Sequence, residues 1–112
     1  MLASLVSRPR QLGMRTLSQA ARPIFFDMVH SNNAARIRLW RNLKEGMQDE
    51  IDVKMVTYPD LKSPEFAAVN PLKKVPGFIR TDGVTVFESA VILNYLEDKH
   101  SCAMPSFKPA TP

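Results

Sequence analysis

Cysteine, histidine and long apolar runs are scarce in this chain, and each scarcity excludes a class of protein. The 112 residues contain one cysteine, Cys102, so no internal disulfide framework holds the fold together. One cysteine and two histidines supply no recognisable set of zinc ligands, and we expect no metal. No apolar run approaches the roughly 18 residues that a membrane-spanning helix needs, so we expect no membrane partner.

Acidic residues are also missing from the first 22 positions, which carry four arginines. The rest of the chain has 11 basic and 11 acidic residues, so the formal charge of +4 lies entirely in this leader. Nucleic-acid binding domains usually carry a basic patch or stripe. A neutral remainder therefore argues against nucleic acid as a partner.

The leader, residues 1–22, is rich in Arg, Ser, Leu and Ala and has no continuous apolar core. This composition is typical of an organelle transit peptide rather than of a secretory signal. The segment Arg15-Thr16-Leu17-Ser18 resembles a mitochondrial processing site, with cleavage expected after Leu17. We therefore predict a mitochondrial location. A plastid location, a cytoplasmic location and a plain disordered basic N-terminus are the alternatives.

Beyond the leader, the sequence predicts one small α/β domain, residues 23–100, and a Pro-rich linker or tail, residues 101–112. Short apolar runs alternate with helix and turn signals, in the order β-α-β-α-β-β-α. The first two strands are expected to be parallel and the last two antiparallel, which gives a mixed four-stranded, thioredoxin-like sheet. The predicted elements are a strand at Ile24–Val29, a helix from about Ala34 to Glu45, a strand at Asp52–Tyr58, a helix at Ser63–Val69, a hairpin turning at Thr81-Asp82-Gly83 and a helix at Ser89–Lys99.

Periodicity also predicts which side chains pack in the core. Arg36 falls on the apolar stripe of the first helix, where it either pairs near a functional site or lies along the surface with its stem buried. The apolar residues predicted to pack are Trp40, Leu43 and Met47 with Ile37 and Leu39 at the margins, Val53, Met55 and Val56 in the second strand, and Val91, Ile92, Tyr95 and Leu96 in the last helix.

Two features are not explained by a packed core. Pro76 follows Val75 at the entrance of the third strand, and the pair Glu88-Ser89 opens the last helix. A cis Val75-Pro76 bond would leave the Val75 N–H and C=O unpaired by the sheet and free to pair with an extended peptide. Free N–H groups at the start of the last helix attract a carboxylate. A backbone clamp beside an anion site predicts a receptor for a small acidic peptide.

These residues lie in three segments, "SNNAARIRL", "SPEFAAVNPLKKVPGF" and "GVTVFESAVILNYLEDK", that together resemble the N-terminal domain of the glutathione S-transferases. The resemblance runs from about Ile24 to His100 and implies that glutathione binds as a co-substrate. Ordinary helix caps, a purely structural Pro76 and solvated surface lysines are the alternative interpretations of the implied contacts. Those contacts are Val75 and Pro76 for the cysteinyl backbone, Glu88 and Ser89 for the γ-glutamyl end, and Lys62 and Lys74 near the glycyl carboxylate.

The resemblance also implies a catalytic role for Ser31, which lies five positions before Arg36 and matches the serine of phi-like members. A free thiol has a pKa near ~8.5 and is a poor nucleophile at neutral pH. A hydroxyl that donates to sulfur at the positive end of a helix favours the thiolate, so Ser31 would stabilise an anion and not attack substrate. The alternative is that Ser31 is only a helix N-cap. "SNNA" stands here in place of a C-x-x-C, which excludes disulfide exchange through a protein dithiol.

Complete members of that family continue into an all-helical domain, whereas here "SCAMPSFKPATP" follows the last helix without a helical period. We expect the helical domain to be absent, and whether the chain is an active enzyme stays open. One hypothesis is a glutathione S-transferase, or a truncated N-terminal part of one, that activates glutathione for attack on a small electrophile. A maleylacetoacetate-isomerase-like reaction falls in the same class. The other is a non-catalytic thioredoxin-like interaction module, its exposed helical face covered by a partner or in a homodimer.

Overall fold

The fold was analysed in a computed structural model, which describes residues 22–108. The predicted transit peptide therefore lies almost wholly outside the described residues. Within them, four strands and five helices follow one another along the chain. In order they are β1 (Ile24–Asp27), α1 (Asn32–Leu43), α2 (Met47–Glu50), β2 (Asp52–Met55), α3 (Tyr58–Leu61), α4 (Pro64–Val69), β3 (Gly77–Ile79), β4 (Thr85–Phe87) and α5 (Ser89–Lys99).

The four strands form one mixed sheet in the order β2-β1-β3-β4. β1 and β2 are parallel, and β3 is antiparallel to both of its neighbours, β1 and β4. Gly77 lies opposite Phe26 on one side and opposite Phe87 on the other. The predicted α/β class, the parallel first pair and the antiparallel hairpin are confirmed. No separate all-helical domain follows α5 within residues 22–108.

The helix boundaries follow from local caps. At the start of α1, the Ser31 side chain accepts a hydrogen bond from the backbone N–H of Ala34. Ser63 accepts the equivalent bond from Phe66 at the start of α4, where Pro64 occupies the first helical position. α1 begins at Asn32, two residues before the predicted start, and gives way to α2 at Gly46, whose φ is +82°. α2 and α3 were not predicted, because four residues are too few to show a helical period.

The core has two parts because neighbouring side chains of a strand point to opposite faces of a sheet. Phe25 packs in the larger cluster with Ile37 and Trp40 of α1 and with residues of α5. Phe26 packs on the other face, where its ring meets Phe66 of α4 edge-on at 5.8 Å between centroids. The sheet is thus covered by α1 and α5 on one face and by α4 on the other.

Some of the burial predictions are wrong, for reasons that depend on position in the sheet. Val53 and Met55 are 38% and 50% exposed, because β2 is an edge strand that pairs only with β1 within the described part of the chain. Val56 is buried, as predicted. Leu43 and Val91 are 54% and 52% exposed, since each lies on the outer side of its helix and away from the sheet. The apolar stripes of α1 and α5 are therefore wider than the faces that these helices bury.

Candidate functional site

One edge of the sheet collects most of the residues that the sequence singled out. Because Phe26, Gly77 and Phe87 lie in one row across the sheet, the end of β1, the start of β3 and the end of β4 reach the same edge. The chain leaves β1 there toward Ser31, and it leaves β4 there toward α5. Antiparallel pairing thus brings together segments that are more than forty residues apart in sequence.

Ser31 is the N-cap of α1. Its Oγ accepts a hydrogen bond from the Ala34 N–H at 3.0 Å, and its own N–H donates to the Met28 carbonyl at 3.1 Å. The side chain is half-buried. No acceptor for the Ser31 hydroxyl hydrogen is found among residues 22–108. Ser31 therefore caps α1, and its O–H, which has no acceptor among residues 22–108, is free to donate at the positive end of α1.

Val75 and Pro76 lie where the chain enters β3. The bond between them is cis, which is the geometry that the argument for a free Val75 backbone required. Val75 is partly buried and contacts both parts of the core, whereas Pro76 is buried. Neither the N–H nor the C=O of Val75 is hydrogen-bonded to another of the described residues. A free backbone donor and acceptor therefore lie at the same edge as Ser31.

Glu88 and Ser89 stand at the start of α5. Glu88 is exposed, has a φ of +74° and makes no side-chain capping hydrogen bond, so it is not an ordinary capping residue. Ser89 is 8% exposed and is the first residue of the helix. The first N–H groups of an α-helix have no partners inside it. The start of α5 thus offers donors and a positive dipole end beside Val75.

The two candidate lysines have weaker support. Lys74 is exposed and directly precedes Val75, and its carbonyl accepts a hydrogen bond from the Asn70 side chain at 2.7 Å. Lys62 is exposed at the end of α3, and no described contact ties it to the other candidates. The surface-lysine interpretation therefore remains the simpler one for Lys62.

An ion pair beside Ser31 was missed by the sequence analysis. Asp27 is buried at the end of β1, and its carboxylate accepts from Nε and Nη2 of Arg38, both at 2.8 Å. The hydrogen bond to Asp27 raises the pKa of Arg38, so the guanidinium stays charged. Arg36, for which the sequence analysis considered pairing near a functional site, is exposed and lines a groove between α1 and α5. The sequence did contain a signal for this ion pair. Asp27 ends a buried strand, and a buried carboxylate needs a basic or hydrogen-bonding partner.

A second buried ion pair lies away from this edge, between α1 and α5. Lys44 Nζ donates to Glu97 Oε2 at 2.9 Å and to the Ala103 carbonyl at 3.1 Å. Burial tends to raise the pKa of Glu97, but hydrogen bonds from Trp40, Lys44 and the Phe107 N–H hold it below its usual value. These contacts tie the segment after α5 to the helices.

The groove beside this pair has a volume of about 440 Å³. Its walls are mainly apolar and include Leu39, Leu43 and Leu93, with Phe107 from the segment after α5. Leu39 and Leu43 are more than half exposed. The groove lies on the helical side of the molecule rather than at the sheet edge that carries Ser31.

Within the described range 22–108, no helix is both long and apolar enough to span a bilayer. No group of three or more Asp, Glu, His or Cys side chains there is arranged to hold a metal ion. The sheet edge that carries Ser31 offers the free backbone groups of Val75, the side chains of Ser31 and Ser89 and the N-terminus of α5.

Comparisons with known proteins agree with this arrangement. Residues 30–99 match the family model described as glutathione S-transferase, N-terminal domain. Maleylacetoacetate isomerase of Rattus norvegicus is 31% identical over 81 residues, which cover 71% of this chain and 37% of that protein. Elongation factor 1-gamma 1 of Saccharomyces cerevisiae is 43% identical over 63 residues, covering 54% of this chain and 14% of that protein.

Among solved structures, a rice glutathione S-transferase in complex with glutathione is similar, with a TM-score of 0.66 and 27% identity. The similarity covers 80% of this chain and 37% of that one. The match to the isomerase likewise spans only 37% of its length. Since the family model covers more than half of the residues, the assignment rests on the domain described above. The chain belongs to the glutathione S-transferase family, through the N-terminal, thioredoxin-like domain of that family.

Proposed function

We propose that this chain binds glutathione at the sheet edge and stabilises its thiolate through Ser31, for attack on a small electrophile. One observation carries the proposal. The row formed by Phe26, Gly77 and Phe87 brings a free hydroxyl, a free backbone pair and a helix N-terminus to one edge. The rice relative that contains bound glutathione supports the choice of ligand.

The chemistry of glutathione suits the groups at this edge. The N–H and C=O of Val75 would pair with the cysteinyl backbone as an added strand. The N-terminus of α5, with Ser89 in its first turn, would hold the γ-glutamyl carboxylate, and Glu88 would accept from the amino group of the same unit. Lys74 is available as a point charge for the glycyl carboxylate. Each charged end of the peptide thus has an opposite partner.

The role of Ser31 follows from its hydrogen bonds. Its Oγ already accepts from the Ala34 N–H, so its hydrogen is free to donate to the glutathione sulfur. A donor at the positive end of α1 favours the thiolate over the thiol and so lowers the thiol pKa. The thiol proton passes to solvent, and the thiolate then forms a carbon–sulfur bond while the electrophile either opens a carbon–carbon double bond or releases a halide ion. Ser31 keeps its own proton.

The first test is Ser31→Ala. We expect glutathione to bind with an affinity within about threefold of the wild-type value, because the backbone and helix contacts remain. The bound-thiolate ultraviolet absorption at neutral pH should fall about tenfold, the loss expected for one hydrogen bond to a charged group. Calorimetric titration measures the affinity and difference spectroscopy the thiolate. Ser89→Ala should instead weaken the affinity for glutathione and leave the thiolate absorption of the bound fraction unchanged.

Ser63→Ala is the matched control, because Ser63 caps α4 as Ser31 caps α1. Both variants should lose about 1 kcal/mol of stability from the missing cap. Only Ser31→Ala should lose thiolate absorption. An equal loss of absorption in the two variants would reduce Ser31 to a cap, and no binding at millimolar glutathione would refute the proposal as a whole.

The 31% identity to rat maleylacetoacetate isomerase suggests which electrophiles to test first. Glutathione-dependent isomerisation of an unsaturated diketo acid is therefore the first reaction to assay, followed by conjugation of a small halogenated aromatic. Both reactions begin with attack of the same thiolate. Ser31→Ala should slow both by a similar factor.

A second candidate function is a non-catalytic interaction module. It is favoured by the exposed apolar side chains of the α1–α5 groove and by the similarity to elongation factor 1-gamma 1 of yeast. In that case Leu39→Ser and Leu43→Ser would abolish assembly and leave glutathione binding unchanged. Analytical ultracentrifugation of the chain with and without these substitutions separates the two functions.

A further inference from the structure

The turn between β1 and α1 is held by side chains as well as by backbone. Asp27 Oδ1 accepts from the Met28 N–H at 2.7 Å, and Arg38 Nη2 donates to the Met28 carbonyl at 3.1 Å. The same carbonyl accepts the Ser31 N–H at 3.1 Å. Two successive peptide groups of the turn, those on either side of the Met28 Cα, are therefore each hydrogen-bonded to the Asp27–Arg38 ion pair.

We propose that Asp27 and Arg38 are positioning residues, which hold the turn from Met28 to Ser31 and thereby aim the Ser31 hydroxyl at the glutathione sulfur. The inference deepens the proposed function and rests on it. Neither residue needs to touch glutathione. Their effect on the thiolate would pass through the Met28 carbonyl, which is the only described partner of the Ser31 N–H.

The placement of the pair supports a positioning role over a purely stabilising one. The Asp27 side chain is 3% exposed, whereas that of Arg38 is 37% exposed. The pair thus lies at the rim of the domain beside the candidate site. If the position served stability alone, a buried apolar side chain would cost less desolvation free energy there than a carboxylate does. Two parallel N–H···O bonds fix direction as well as distance, which an apolar contact does not.

The charges of the pair distinguish positioning from a field effect. Asp27 and Arg38 neutralise each other, so the pair presents little net charge to a thiolate. In Asp27→Asn the charge of Arg38 is left without its partner. A field effect would then increase the thiolate fraction, whereas a loosened turn would decrease it. The two explanations therefore predict opposite signs for one substitution.

The experiment uses the full chain with glutathione and the variants Asp27→Asn, Arg38→Lys and Arg38→Gln. For each we expect the bound-thiolate absorption at neutral pH to fall about tenfold, while the glutathione affinity changes less than about threefold. Arg38→Lys should not rescue the signal, because one ammonium group cannot reproduce two parallel donors. Amide exchange at Ser31 should be about tenfold faster in all three variants.

Arg22→Gln is the control, since it breaks an exposed Arg–Asp pair with Asp52 at the opposite edge of the sheet. It should leave the thiolate signal and the Ser31 amide unchanged. An increased thiolate signal in Asp27→Asn, or a wild-type thiolate signal in Arg38→Lys, would show a charge effect and overturn the proposal. If wild-type chain does not bind glutathione, the proposed function fails. The Ser31 amide exchange then decides alone whether the pair holds the turn.

Discussion

At the level of single residues, a buried ion pair between Lys44 and Glu97 contributes to the packing of the helices. The Lys44 side chain has no exposed surface, yet its Nζ lies 2.9 Å from Oε2 of Glu97 in an ion pair. Its Nζ also lies 4.8 Å from the centre of the Phe107 ring. Removing one member of such a pair leaves the other charge buried without compensation. The pair therefore holds the segment after α5 against α1.

At this scale we predict the effect of Glu97→Gln. At neutral pH the variant should be about 2 kcal/mol less stable, because the charged hydrogen bond to Lys44 is lost. The pKa of Glu97 is held below its ordinary value of 4.5, so its contribution is present above that pH and disappears as the pH falls through the lowered folded-state value. The stability gap between wild type and variant should therefore close in acid. Urea unfolding at a series of pH values measures it.

Glu45→Gln provides the comparison, since Glu45 is an exposed acid just after α1. It should change stability by less than about 0.5 kcal/mol at every pH. A gap for Glu97→Gln that stays constant down to strongly acidic pH would contradict the assigned role of the carboxylate.

At the level of elements, the close approach of α4 to the sheet depends on Gly77 at the start of β3. A Cβ at this position would lie 2.8 Å from Cγ1 of Val69 and 3.7 Å from the Phe66 ring. Neither side chain is a flexible end, because both belong to the buried cluster under α4. Any side chain at the residue that opens β3, directly after Pro76, would therefore force Val69 to move.

We predict that Gly77→Ala destabilises the chain by about 1–3 kcal/mol through overpacking. Val69→Ala alone should also destabilise it, by leaving a cavity. The double variant should cost less than the two single changes together, since the smaller residue at 69 makes room for the new methyl group. Thermal unfolding of the four proteins completes the cycle. Strict additivity would mean that the Gly77 contact does not limit the packing.

The elements themselves follow largely from local signals, and the exceptions have physical causes. The Asp82-Gly83 turn, the Ser63-Pro64 start of α4 and the apolar run of β1 are local features that predict their elements correctly. The exposure of Val53 and Met55 was predicted wrongly because alternation cannot tell an edge strand from a central one. That distinction depends on strand order, which is a non-local property.

At the level of the whole molecule, the charge is unevenly distributed along the chain. Residues 1–22 carry the entire formal net charge, whereas residues 23–112 have equal numbers of basic and acidic side chains. We propose that the leader directs the chain to mitochondria, although it lies almost wholly outside the described residues. The candidate site would then meet its substrates in that compartment.

The corresponding prediction concerns a fusion of residues 1–22 to a fluorescent reporter. The reporter should accumulate in mitochondria and lose the residues up to Leu17, as measured by microscopy and N-terminal mass spectrometry. The same fusion with Arg8, Arg10 and Arg15 changed to Gln should stay in the cytosol, because the basic residues give the leader its import character. A plastid signal, or an unprocessed cytosolic reporter with the natural leader, would refute the proposal.

The sequence by itself determined the class of fold, the order of seven of the nine elements within residues 22–108, the family resemblance and the segments that carry Ser31, Val75 and Ser89. These are local properties, set by periodicity, caps and turn residues within short stretches. Only the tertiary structure decided that the three segments share one edge, that Arg38 and not Arg36 pairs beside Ser31, and that Lys44 and Glu97 meet across 53 positions. Such contacts join residues that are far apart in the chain. They depend on sheet register and helix packing, which local sequence patterns do not specify.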